Sequence, residues 1–170
     1  IVLIENNELK SIKPFPPKKV RPCVFEYIYF ARPDSILDGK TAYEHRKNLG
    51  AELAKENDID ADIIVPVPDS GNAAALGFAQ HLRKNFELGL IRNHYVGRTF
   101  IEPSQKIRSL GVKLKLNANK STIKGKKVIL IDDSLVRGTT SHKIVKMLYD
   151  AGAEEVHVKI ACPEIKYPDF

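Results

Sequence analysis

Residues 128–141 read VILIDDSLVRGTTS: four apolar residues run into Asp132-Asp133, then into an arginine, a glycine and three hydroxyl side chains. Val128 to Ile131 have the character of a strand buried on both faces, and such a strand has no structural use for two adjacent acids at its end. The loop that follows supplies what a phosphate group needs. Gly138 permits close approach of the backbone, and Thr139, Thr140 and Ser141 supply hydroxyls. A helix starting there presents free N–H groups and the positive end of its dipole. Two carboxylates just ahead of a phosphate cradle suit a sugar diol or a Mg²⁺-bound ligand. The GxxxxGK[ST] spacing of a Walker loop is absent, and no GxGxxG follows a first strand. A receiver domain also ends an apolar strand in acids, but near its N-terminus. Here the pair lies near the C-terminus with RGTT behind it, more than a structural turn needs.

Working outward, KVILID (127–132) is expected as a strand and the next helix as a buried stripe of Thr140, Ile144, Met147, Leu148 and Ala151, closed by Gly152. EVHVKIA (155–161) follows as another strand. Upstream, VFEYIYF (24–30) reads as a strand from its aromatic and β-branched content, and RPDS turns the chain into a helix from about Thr41 to Glu56. Ala42, His45, Leu49 and Leu53 would share one face of that helix, with His45 a packed edge residue rather than a ligand. DIIVPVP (62–68) is a short buried strand, DSGNAAALGFAQHL is small and helix-prone, and FELGLI (86–91) is a third strand. This order predicts an α/β domain, with a mainly parallel sheet covered by helices on both faces. Ligands bind such sheets beyond the carboxyl ends of the strands. PDSG after one strand and DDSLVRGTTS after another are the two loaded ends.

The 170 residues, 43% hydrophobic and 28% charged, suit one globular domain. No apolar run approaches the roughly 20 residues of a membrane span. Cys23 and Cys162 form no CxxC, so a soluble cytoplasmic chain without membrane or disulfide framework is expected. Residues 1–22 contain KPFPPKKVRP and read as linker or tail. The net charge of +6 is local. Gly97 to Lys127 hold nine Lys/Arg against Glu102 alone, giving +8 there and −2 elsewhere. That segment suits a compact polyanion. It lacks the aromatic interleaving or reading motif of a nucleic-acid binder, and a solvated loop that binds nothing stays open.

VILIDDSLVRGTTS resembles the phosphoribosyl pyrophosphate (PRPP) signature of type I phosphoribosyltransferases. CVFEYIYFARPDS (23–35), VPVPDSGNAAALGFA (65–79), NHYVGRTFI (93–101), GVKLKLNAN (111–119) and AGAEEVHVKIACPEI (151–165) are similar to segments of the amidophosphoribosyltransferase family. The resemblance implies the type I fold with a flexible lid loop, and displacement of pyrophosphate from PRPP by ammonia in purine biosynthesis. It places the ribose hydroxyls on Asp132 and Asp133, with Ser134 beside them, and the 5-phosphate on Arg137, Gly138, Thr139, Thr140 and Ser141. Asp69, Ser70 and Gly71 would hold the pyrophosphate, and Mg²⁺ would fall to Ser70, Asp132 and Asp133. The basic stretch from Arg98 toward Asn117 would be the lid, with Arg98, Lys113 or Lys115 catalytic, and Arg92 a contact for effector nucleotides. No side-chain nucleophile is required.

The same resemblance marks departures. The family begins with a glutaminase domain whose N-terminal cysteine is the nucleophile. Residues 1–22 would be the tail of that missing domain, and 23–170 a phosphoribosyltransferase domain truncated at its C-terminus. One branch carries an iron–sulfur cluster on four cysteines, one matching Cys23. Asp169 stands at another of those positions, and a carboxylate is a poor substitute for a thiolate, so no cluster is expected. Cys162 matches no ligand position and would be a small buried residue at the last strand. A homotetramer is implied. A salvage phosphoribosyltransferase and a PRPP-binding regulator without catalysis are the alternatives. A regulator has no need of the pyrophosphate and lid loops, both present here.

Overall fold

A computed structural model describes residues 1–56, 58–95, 115–164 and 166. Its centre is a four-stranded sheet of β5 (Ile63–Pro66), β6 (Asn85–Phe86), β9 (Lys127–Asp132) and β10 (Glu155–Ile160), ordered β10-β9-β5-β6 and parallel throughout. Side chains alternate across a strand, so one sequence feeds two cores. Ile63, Val65, Val128 and Leu130 pack toward α4 (Thr139–Asp150) with Ile144 and Leu148. Ile64, Ile129 and Ile131 pack toward α2 (Asn72–Leu82) with Ala74, Ala75 and Phe78. The expected α/β fold, with helices on both faces of a parallel sheet, is present.

Helix α1 (Ala42–Lys55) opens on a reciprocal cap. The Glu44 N–H donates to Thr41 Oγ1 at 3.1 Å, and the Thr41 N–H donates to Glu44 Oε2 at 2.9 Å. Its buried face is Ala42, Arg46, Gly50 and Ala54, one position along from the stripe expected from leucine spacing; Leu49 and Leu53 are only half-buried. The reason is α2, which approaches so closely that only small residues fit between. A Cβ on Gly50 would sit 1.8 Å from the Ala74 carbonyl oxygen, and one on Gly77 1.9 Å from that of Lys47. His45 is half-buried as expected, with Nε2 2.9 Å from the Leu37 carbonyl oxygen and its ring edge-on to Tyr27.

Three further expectations are corrected. VFEYIYF is not a strand: Glu26–Phe30 form a single π-helical turn in which only Ile28 is buried. Two carbonyls of this turn's neighbourhood, those of Tyr27 and Ala31, accept hydrogen bonds from Arg46, so a tertiary contact overrides β-propensity. FELGLI is not one strand. The chain breaks at Gly89, where a Cβ would lie 2.5 Å from Ile123 Cδ1. It then re-forms as β7 (Leu90–Arg92) in a different sheet, antiparallel to β8 (Leu116–Ala118). Thr140 is exposed rather than part of the buried stripe of α4 and Met147 is only half-buried, while Ile144, Leu148 and Ala151 are buried as expected.

Smaller elements complete the fold. Residues 1–22 include a hairpin of β1 (Val2–Glu5) and β2 (Glu8–Ser11), exposed on every residue, with Asn6 and Asn7 both at positive φ in the two-residue turn. A shorter hairpin, β3 (Ile36–Leu37) and β4 (Lys40–Thr41), turns on Asp38 and Gly39. Helix α3 (Lys120–Ile123) brings Ile123 into the core. The lid expected from Arg98 toward Asn117 falls mostly outside the described residues, and its last residues, Leu116 and Asn117, belong to β8.

Candidate functional site

The two loaded strand ends lie side by side, because β5 and β9 are neighbours in the sheet. Beyond β5 the chain doubles back at once. The Val67 N–H donates to the Ile131 carbonyl at 2.8 Å, and the Gly71 N–H donates to the Val67 carbonyl at 2.9 Å. Gly71 begins α2 against the end of β9: a Cβ there would lie 2.5 Å from the Ile131 carbonyl oxygen and 2.9 Å from that of Val67. Only glycine passes. The Pro68–Asp69 peptide is cis. Asp69 is exposed and pairs with the Arg92 guanidinium, while Ser70 is half-buried on a small cavity that Asp133 also lines.

Beyond β9 the acid pair is fixed by its backbone. The Ala161 N–H donates to the Asp132 carbonyl at 3.0 Å, and the Cys162 N–H to the Asp133 carbonyl at 2.8 Å. The carboxylates themselves are sparsely bonded. Asp132 Oδ1 accepts the Asp133 N–H at 2.9 Å. Asp133 is 7% exposed; its Oδ1 accepts the Ser134 hydroxyl at 2.5 Å, and its Oδ2 is buried without any partner. Burial, and then the neighbouring Asp133 charge, push the Asp132 carboxyl up to about 6. An orphaned buried acceptor beside an acid that resists ionising leaves a place for a further donor or cation.

From there the loop opens. Leu135, Val136 and Arg137 are exposed, and Gly138, with φ of 70°, turns the chain into α4. No side chain caps α4, and Thr139 and Thr140 are exposed at its start with Ser141 half-buried. The first turn of a helix leaves its N–H groups without intrahelical partners, and here they stand beside three hydroxyls, an arrangement suited to an anion. The donor set of Asp132, Asp133 and Ser70 is all hard oxygen, which fits Mg²⁺. Among the described residues no group of three or more His, Cys, Asp or Glu side chains is arranged to hold a metal, so an ion here would complete its shell with water and ligand oxygens.

The structure therefore brings Ser70 and Gly71 against Asp133 and the end of β9, from which the loop to Ser141 continues. Arg92 joins them through Asp69. The β7–β8 register puts Leu116 opposite Arg92, so Lys115 lies just beyond, its carbonyl accepting the Asn93 N–H at 2.8 Å. Arg98, Lys113 and Asp169 lie outside the described residues. Cys23 is exposed, and Cys162 is half-buried directly after β10. Burial raises the Cys162 thiol, with Asp133 adding to it. Sequence reasoning missed Arg46, which is 8% exposed and shares the cavity wall with Asp133. Burial lowers its guanidinium, and the Asp133 charge opposes that. The clue was the four-residue rhythm Ala42, Arg46, Gly50, Ala54, a stripe of small residues with one arginine in it.

Residues 33–166 match the model of the phosphoribosyl transferase domain family. The amidophosphoribosyltransferase of Rhizobium etli is 61% identical over 158 residues, covering 93% of this chain and 32% of that protein. That of Bacillus subtilis is 55% identical over 148 residues, covering 87% and 31%. A solved structure of glutamine phosphoribosylpyrophosphate amidotransferase from B. subtilis, complexed with ADP and GMP, superposes with a TM-score of 0.83 at 50% identity. It covers 99% of this chain and 37% of that one. The chain spans about a third of the length of the relatives it matches.

Proposed function

The chain belongs to the phosphoribosyl transferase domain family, and on that premise we propose that it is the phosphoribosyl-transferring part of an amidophosphoribosyltransferase. Its site takes PRPP with Mg²⁺ and yields 5-phosphoribosylamine for purine synthesis. The single observation that carries the reading is the orphaned Asp133 Oδ2 at a strand end, directly ahead of the uncapped N-terminus of α4. Carboxylate acceptors for a diol and N–H donors for a phosphate stand in the order in which a ribose 5-phosphate presents its groups.

The roles follow from position. Gly138 and the first turn of α4, with Arg137, Thr139, Thr140 and Ser141, hold the 5-phosphate. Asp132 and Asp133, steadied by Ser134, accept hydrogen bonds from the ribose hydroxyls. The loop Asp69–Gly71 meets the pyrophosphate with its backbone. Asp132, Asp133 and Ser70 would hold Mg²⁺, which would supply positive charge against the leaving pyrophosphate. At the anomeric carbon the bond to pyrophosphate breaks with its electron pair as the bond to ammonia nitrogen forms, and the nitrogen then sheds a proton. Arg98, Lys113 or Lys115 would stabilise the departing negative charge. No side chain bonds to the sugar. Arg92 remains the candidate effector contact, and because it is engaged with Asp69 an effector phosphate would compete with that pair.

A glutaminase domain, in line with the length of the relatives, would supply the ammonia, and residues 1–22 would be the joint to it. A cytoplasmic homo-oligomer without nucleic-acid or membrane partners fits the family. Among the described residues no helix is long and apolar enough to cross a membrane. The test is release of pyrophosphate from PRPP in Mg²⁺ with an ammonium salt. Release with free purine bases or orotate instead points to a salvage enzyme. PRPP binding with no release under either condition points to a regulator.

A further inference from the structure

Arg46 performs two tasks at once. Its Nε–H donates to the Tyr27 carbonyl and its Nη2–H to the Ala31 carbonyl, each at 2.8 Å, so it clasps the π-helical turn. The same side chain lines a small cavity together with Asp133, Ser70, Ala74 and Ala161. It reaches that far because the Gly50–Ala74 contact, one turn along α1, draws the helix against α2. Two neutral donors would satisfy two carbonyls. A permanently charged guanidinium in a buried wall calls for an opposite charge as well. Asp133 is the acid whose field acts on it. In return, Asp133 is 7% exposed and takes part in no ion pair among the described residues.

We propose that Arg46 is a positioning residue for Asp133: a fixed counter-charge, held by the π-helical turn, that offsets the buried carboxylate and keeps it directed at the ribose-binding face. The consequence for ligands rests on the function proposed above, but the pairing itself does not.

Two measurements separate them. The first uses no ligand. Urea unfolding of the wild type, Arg46→Met, Asp133→Asn and the double variant forms a cycle. The expected result is that Arg46→Met lowers the folding constant at least fivefold more in the wild-type background than in the Asp133→Asn background, because only there does it strand a charge. Equal losses in both backgrounds overturn the proposal and leave Arg46 a clasp on the π-helical turn alone. Should Arg46→Met fail to fold, Arg46→Gln, which keeps an amide donor without the charge, takes its place in the cycle.

The second measurement titrates ribose 5-phosphate, PRPP with Mg²⁺, and inorganic phosphate by calorimetry. Arg46→Met is expected to weaken both sugar phosphates about tenfold and to leave inorganic phosphate unchanged. Arg46→Lys, which retains the charge but not the fork, is expected to restore most of the sugar-phosphate affinity while staying less stable than the wild type. Unchanged sugar-phosphate affinity in Arg46→Met overturns the positioning role. A wild type that binds no PRPP overturns the proposed function, while the unfolding cycle still decides the Arg46–Asp133 pairing.

Discussion

The loops after β5 and after β9 sit side by side and use glycine for opposite purposes. After β5, Gly71 is pressed on the end of β9, where a Cβ would strike the Ile131 carbonyl oxygen. After β9, a Cβ on Gly138 would meet nothing within 4 Å, and the glycine is there for its φ of 70°. The first loop is closed on itself, its one exposed acid engaged by Arg92. The second is open, with an orphaned carboxylate oxygen and an uncapped helix. A site of this kind divides its labour: one loop is finished by the fold, and its neighbour is finished by the ligand.

The sharpest way to break that division is at Asp133. Asp133→Asn is expected to lower turnover with ammonia about 10²-fold or more, the scale of losing a preorganised electrostatic contact. The unfolding free energy should move by no more than about 1 kcal/mol, since relief of the carboxylate's burial offsets the loss of its pairing with Arg46. Steady-state kinetics and urea unfolding on one preparation decide it, and unchanged kinetics sink the role of the acid pair.

Next come the two glycines. Gly71→Ala drives a methyl into backbone and should destabilise by about 3 kcal/mol, the upper range of overpacking. Gly138→Ala adds only the strain of a left-handed backbone, about 1 kcal/mol. Equal losses in unfolding would erase the contrast between closed and open loops.

The pH dependence probes the open loop. The folded Asp132 carboxyl, raised to about 6 from 3.8, holds its proton more tightly than the unfolded chain does. Its contribution favours the fold below about pH 4 and is lost as the pH rises toward 6. Glu155, Asp60 and Glu44 are shifted down by their partners and act in the opposite sense. The clean readout is therefore the wild type minus Asp132→Asn, whose difference in stability should fall between pH 4 and 6. Affinity for PRPP with Mg²⁺ should rise over the same span, as the carboxylate ionises.

The smallest expected effects separate cradle from lid. Thr139→Val should weaken ribose 5-phosphate and PRPP alike, about tenfold, the scale of one charge-assisted hydrogen bond. Lys115→Gln, and Lys113→Gln with it, should spare ribose 5-phosphate and weaken PRPP a few-fold, less at higher ionic strength. Equal losses for both ligands would reduce the basic segment to a diffuse attractor.

Much of this was legible in the residues because the parallel strands are continuous apolar runs with chemically odd endings. KVILID and its acids carry both a fold and a site in one stretch. What stayed hidden depended on partners far away in the chain. Nothing in VFEYIYF announces an arginine 19 residues from Tyr27 that donates to its carbonyl, so the residues alone read as a strand. The break at Gly89 reflects contact with Ile123 and Val65, which only the folded sheet brings near. The hairpin at Asn6-Asn7 was within reach, since two residues that tolerate positive φ stood between short runs of strand-like residues. The pairing of Arg92 with Asp69 depends on the β7–β8 sheet, which no local pattern in the sequence announces.

The mutual approach of α1 and α2 through Gly50 and Gly77 has a consequence for how the molecule breathes. Each helix occupies the space where the other's side chain would be, so neither can tilt or slide without first separating completely. Amides of the two helices should therefore exchange with solvent deuterium together and late, as one cooperative unit, while those of β1 and β2, exposed on both faces, exchange early. Ser70 and Arg46 are carried at the edges of that slow unit, so the cavity wall they share with Asp133 stays still while the open loop waits for its ligand.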